Sequence, residues 1–204
     1  MKSVFALAFA VLLLAAPAFA GRRLVQAEES AQVASTQYSS IPEFAADQPN
    51  FSTFELALNL TGLIDSVSDS DVAVTVFAPT NAAFNNFLAA QKLSLEDLLD
   101  SDYLMPVLLN HIVPEVLTTS QMYIGEELPT LLTGTNLTIA AATPNSNAVY
   151  KILSENPDST ANIIPSAHNI VAGSSLIQAI DAVLVPTMPA IEAFVQKTNE
   201  ITAA

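Results

Sequence analysis

The chain has 204 residues, 51% of them hydrophobic, and no cysteine, which allows one domain with a proper core and excludes a disulfide scaffold, thiolate metal sites and cysteine nucleophiles. Its 20 acidic residues against 6 basic ones give a formal charge of −14, a field that repels phosphate backbones and anionic membranes and so argues against a nucleic-acid partner. Charged residues are only 13% of the chain, so solvation falls largely to Ser, Thr and Asn.

Lys2 is followed by an apolar run from Val4 to Ala16 and then by Ala18-Phe19-Ala20. A basic start, an apolar centre and an A-x-A ending form a secretory signal peptide, here residues 1–20. The run is shorter than the about 20 residues that cross a bilayer, and no second stretch of spanning length follows. The expectation is a secreted, extracellular protein with no membrane span. Residues 21–40 are polar and aperiodic, with Glu28, Glu29, Ser39 and Ser40, and read as a flexible leader. Order is expected to begin near Ile41-Pro42. Three sequons make Asn50, Asn59 and Asn136 glycosylation candidates.

From Phe51 the pattern becomes helical. Ser52 is an expected N-cap; Phe51, Phe54 and Leu58 share a face, and Gly62 stands where the helix would close. Ser66 to Asp71 reads as an acidic, serine-rich loop. Val72 to Phe77 is β-branched and aromatic, reads as a buried strand, and is stopped by Pro79. Thr80 caps a helix containing Ala83, Phe84 and Phe87. Ser94 opens another, with Asp97 three residues on. A third is expected from Met105 to Val113, with Pro106 in its first turn. Beyond Pro114 the period shortens. Leu131-Leu132, Leu137 to Ala141, Val149 to Leu153, Ile163-Ile164 and Leu176 to Val185 are strand candidates, and Ala190 to Lys197 a terminal helix. Early helices and late strands give an α+β class.

Two stretches carry more than core. Thr75-Val76-Phe77-Ala78-Pro79-Thr80-Asn81-Ala82-Ala83-Phe84 resembles the first box of fasciclin domains, and Ala179-Ile180-Asp181-Ala182-Val183-Leu184-Val185-Pro186 the close of the second. Between them, Asn110-His111-Ile112-Val113-Pro114 resembles the segment where the family has Tyr-His before Val-Val-Pro. Asn110 replaces the Tyr, and Ser174-Ser175-Leu176-Ile177-Gln178 replaces the family's Asn-Gly-x-Ile-His. The resemblance covers about residues 41–187, leaving 188–204 as a C-terminal helix or tail. It implies a fasciclin-like fold, helices packed on a β-wedge of short, mostly antiparallel strands. Its family-motif positions here are Thr75, Phe77, Pro79, Thr80, Asn81, Phe84, His111, Asp181 and Pro186. The family's Tyr-His region is linked to adhesion through cell-surface receptors.

Physical roles for these residues follow without the family. Phe77 fills a core, Pro79 ends a strand, and Thr80 and Asn81 offer oxygens to helix N–H groups. Asp181, inside an apolar strand, needs a partner if buried. No catalytic or metal-ligating set assembles: there are two histidines, no G-x-S-x-G and no phosphate loop, and the spacing of Asp65, Asp69 and Asp71 fails the calcium-loop pattern. His111 reads as a core histidine. Two functions stand side by side. The first is a non-enzymatic extracellular-matrix or cell-surface adhesion module, with a glycoprotein or polysaccharide partner and no cofactor. The second is a carrier of an apolar small molecule, and secreted algal members of the family that carry carotenoids such as astaxanthin resemble this chain in size. For the carrier, Leu88, Leu93, Leu98, Leu104, Leu108, Ile112 and Leu117 supply an apolar surplus.

Overall fold

In a computed structural model, residues 37–68, 73–142 and 148–187 are described. The signal segment, most of the leader, Asp69, Asp71 and the terminal helix expected over 190–197 lie outside them. A two-residue strand, β1 (Gln37–Tyr38), precedes α1 (Ile41–Asp47), α2 (Ser52–Leu60) and α3 (Leu63–Ser68). Strand β2 (Thr75–Pro79) leads to α4 (Asn81–Gln91), α5 (Leu95–Leu99), α6 (Leu104–Asn110) and β3 (Ile112–Val113). Then come only strands: β4 (Glu127–Pro129), β5 (Asn136–Ala140), β6 (Lys151–Ser154), β7 (Thr160–Asn162), β8 (Ile170–Ala172) and β9 (Ser175–Ile180).

The strands form a five-stranded sheet, β1-β8-β9-β2-β3, and a four-stranded sheet, β4-β5-β6-β7. The second is antiparallel throughout. In the first, β2 lies parallel to β9, from Thr75↔Leu176 to Pro79↔Ile180. Side chains alternate across a strand, and here that alternation feeds two cores. Val76 and Ala78 of β2 and Ile177 and Ala179 of β9 point into a cluster with Phe44, Phe54, Phe84 and Leu108. Phe77 and Ile180 point the other way, to Leu137, Ile139 and Ile152 of the second sheet. The five-stranded sheet is thus the middle layer of an α+β fold, which is why every residue of β2 is buried.

Local signals set several boundaries. Thr80 caps α4, its hydroxyl accepting from Ala83 N–H at 3.2 Å. Ser94 and Asp97 form a reciprocal capping box on α5. Gly62 follows α2 with φ of 69°.

Elsewhere tertiary contacts move the boundaries. Ser52 lies within the first turn of α2 and caps nothing; its hydroxyl accepts from Asn81 Nδ2. Ser66 to Ser68, expected in an acidic loop, instead form the last turn of α3, so any loop here begins after Ser68. Helix α6 stops at Asn110 because Ile112 and Val113 pair with Val76 and Thr75, a ladder that overrides helical continuation. Leu131-Leu132 fall in the turn after β4. Strand β9 ends at Ile180, and residues 181–187 leave the sheet. The chain also acquires structure before Ile41: β1 runs parallel to β8, with Tyr38 buried against Phe44 at 5.2 Å between ring centres. Gly173 makes that docking possible, since a Cβ there would lie 2.8 Å from Ser39 O.

Candidate binding surface

Most of the motif residues lie inside the fold and so mark where a binding surface is not. Thr75 is fully buried; its hydroxyl donates to Glu115 O at 2.6 Å and accepts from Leu117 N–H at 2.8 Å. Asn81 joins two helices: its Oδ1 accepts from Thr53 N–H at 3.0 Å, and its Nδ2 donates to Pro49 O at 2.9 Å. Phe77, Phe84, Pro79 and Pro186 are buried. Asp181, expected in a strand, instead stands exposed just past β9, where it accepts from Asn162 N–H at 2.7 Å and from Asn162 Nδ2 at 2.9 Å.

His111 and Asn110 are both fully buried. His111 Nδ1–H donates to Val107 O at 2.7 Å, which fixes the tautomer and leaves Nε2 to accept from Leu184 N–H at 2.9 Å. Burial pushes the ring's pKa down to about 4, the Val107 carbonyl opposing it. With both nitrogens engaged, His111 has no lone pair free for a substrate proton. Asn110 Nδ2 donates to Leu184 O at 3.0 Å and to Ser154 Oγ at 3.3 Å, while its Oδ1 has no protein partner. Gln178 is buried as completely: Oε1 accepts from Asn169 N–H at 2.9 Å, and Nε2 donates to Leu117 O at 3.1 Å. These three side chains act on main chain, and none reaches the surface.

The leucine surplus is mostly core. Leu88, Leu98, Leu104, Leu108, Ile112 and Leu117 are buried, and only Leu93 is exposed.

What remains outside is a turn and a groove. Tyr123 and Ile124 are 69% and 68% exposed, yet the turn that carries them is tightly held. Gly125 N–H donates to Ile139 O at 2.7 Å, Glu126 N–H to Tyr123 O at 3.1 Å, and Tyr123 N–H to Glu126 Oε2 at 3.0 Å. Met122 is buried beneath, and its carbonyl accepts from Tyr150 OH. The groove, of about 270 Å³, lies between α4 and residues 182–185 and is lined by the apolar Phe87, Ala90 and Val183 and the polar Asn86, Gln91 and Asp158. Neither was legible in the sequence. A Tyr-Ile pair before a glycine resembles any strand end until its exposure is known.

Two of the sequon asparagines, Asn50 and Asn59, are exposed; Asn136 is half-buried in β5, its N–H donating to Glu155 Oε1. Among the described residues no three of His, Asp and Glu converge as a metal site, and no helix is long and apolar enough to cross a membrane.

The family model of the Fasciclin domain matches residues 49–186. The chain belongs to the fasciclin family. Fasciclin domains are in general non-enzymatic adhesion and binding modules of extracellular or cell-surface proteins. Among similar proteins, Protein sll1483 of Synechocystis sp. is 30% identical over 175 residues, 84% of this chain and 89% of that one. Among solved structures, the FAS1 domain pair of the insect cell adhesion molecule Fasciclin I matches with a TM-score of 0.60 and 16% identity. That match covers 76% of this chain and 53% of the pair, so the chain spans about half its length. Asn110 and Gln178, which stand where the resemblance has Tyr and His, both make buried hydrogen bonds to main chain.

Proposed function

We propose that the chain is a secreted, non-enzymatic binding module of the extracellular matrix or cell surface, and that the Tyr123–Ile124 turn makes the contact. One observation carries this reading: two large apolar side chains stand in solvent on a turn whose backbone is already ordered. Aromatic anchors on a preorganised backbone lose little entropy on binding, and such residues dominate interface energies. Most of the motif residues are consumed by the core or by helix caps, which leaves binding to surface elements of this kind. The partner is a matrix or cell-surface glycoprotein or polysaccharide. Its contact surface avoids dense negative charge, since the described residues carry only Lys92 and Lys151 as fixed cations. Glycans on the exposed Asn50 and Asn59 would sit on α2 and the turn before it.

The test is attachment of cells and retention of wall polysaccharides on the immobilised full-length chain, compared with the Tyr123→Ala/Ile124→Ala variant. Retention by the native chain with at least tenfold loss in the variant supports the reading. Equal retention by both would remove the turn from it, and no retention of either probe would remove adhesion.

A second reading, a soluble carrier of a carotenoid such as astaxanthin, is favoured by Leu56 and Leu60. They are 41% and 57% exposed, one turn apart on α2, and Leu93 adds to the exposed apolar surface. Visible absorbance after incubation with astaxanthin and desalting tests it. A retained, shifted band at fixed stoichiometry supports the carrier, and a colourless folded protein rejects it.

A further inference from the structure

The segment after β9 is bound in an unusual way. Five successive main-chain polar groups of Val183, Leu184 and Val185 are each met by a side chain. Val183 O accepts from Ser159 Oγ at 3.2 Å, and Val185 N–H donates back to the same oxygen at 2.6 Å. Leu184 N–H donates to His111 Nε2 at 2.9 Å, and Leu184 O accepts from Asn110 Nδ2 at 3.0 Å. Val185 O accepts from Ser154 Oγ at 3.0 Å. Val183 packs into the helix-side core and Leu184 into the sheet-side core. The segment is thus a strap across the seam between the two cores, and four side chains hold it.

We propose that residues 183–185 form an acid-released strap, which lifts from the domain ahead of global unfolding when the His111 ring takes a proton. The geometry gives the mechanism. Nδ1 already carries a proton and donates it to Val107 O, so the second proton can only go to Nε2, the atom that accepts from Leu184 N–H. Protonation turns that acceptor into a donor facing a donor. The ring has no counter-charge to soften this. Strands β2, β3 and β9, helix α6 and the strap itself carry no titratable side chain besides His111. Lys151 lies at the far end of β6 from Ser154, and Glu155, Asp158 and Asp181 stand exposed at the turn and at the strap's entry. Burial is the dominant influence on the ring, which is why its pKa lies near 4 in the closed state.

The sign is fixed by linkage. A histidine held neutral when closed and titrating near 6.5 when open binds more protons in the open state between those two values. Closure is therefore strongest above pH 6.5 and weakens as pH falls to about 4, below which His111 contributes no further loss. Once lifted, the strap withdraws Val183 from the groove it lines with Phe87 of α4, a ring half-buried while the strap is closed. The strap's release does not depend on the binding turn.

Native-state hydrogen exchange on the full-length chain tests it, read as protection factors from pH 7 to pH 4 in low urea. The expected result has three parts. Leu184 and Val185 amides are less protected than those of Val76 and Ile177 in the central ladder. Their opening depends little on urea. Their protection falls by up to about 300-fold between pH 6.5 and 4. His111→Gln, which cannot titrate, abolishes the pH dependence. If that variant does not fold, Ser159→Ala serves: it lowers strap protection at every pH and leaves the slope unchanged. Strap amides that exchange at the same rate as the ladder, or protection that is flat from pH 6.5 to 4, would overturn the proposal.

Discussion

Strand β2 and the strap are both apolar, buried and near the middle of the molecule, but they are held differently. Thr75–Pro79 is bonded to β9 on one side and begins a ladder with β3 on the other, backbone to backbone. Val183–Val185 has no ladder and relies on His111, Asn110, Ser154 and Ser159. A backbone ladder tolerates changes of side chain and of pH. A segment held by side chains carries their titration and their vulnerability. Burial alone therefore does not measure how firmly a segment is fixed.

The comparison can be broken most forcefully at Phe77, fully buried where β2 faces the second sheet. Phe77→Ala is expected to cost about 3–5 kcal/mol in denaturant unfolding, and a loss under 1 kcal/mol would show that the two cores do not depend on β2. The next effect belongs to the strap side. Lowering pH from 6.5 to about 4 is expected to remove about 3 kcal/mol of stability through His111. A urea titration series with the His111→Gln variant as control isolates that share from the carboxylates. Ser159→Ala removes both of its strap bonds and is expected to cost about 1–3 kcal/mol, seen as a lower midpoint with an unchanged urea slope. At the edge of β2, Thr80→Ala deletes the α4 cap and is expected to cost about 1 kcal/mol, with Thr80→Ser restoring most of it. The smallest change in stability is expected at Tyr123→Ala, within about 0.5 kcal/mol, because the ring is largely in solvent. If that substitution unfolds the turn, the ring is a structural support rather than a binding anchor.

Much of the helical half was readable in order. Thr80 with Ala83 and Phe84, and Ser94 with Asp97, are local signals in which a cap and an apolar period lie within one or two turns. The boxes around Phe77 and Ile180 marked the family because they are contiguous. The errors fall where distant partners intervene. Ile112-Val113 reads as the end of a helix because nothing near it in the sequence reveals its pairing with β2. Tyr38 reads as part of the leader because its partner, β8, lies far along the chain. The candidate surface was the least legible part. The leucines offered as surplus are core, and Tyr123–Ile124 gave no periodic or compositional sign of exposure.

By itself the sequence determined the class, the family and the caps of α4 and α5, all of which rest on neighbours within a few residues or on contiguous motifs. The tertiary structure decided that β2 runs parallel to β9, that Asn110, His111 and Gln178 face inward, and that the end of the second box leaves its sheet as a strap. It also decided which apolar side chains remain in solvent. The physical reason is the same in each case: hydrogen-bond partners and burial are supplied by segments remote in sequence, and only the folded chain brings them together.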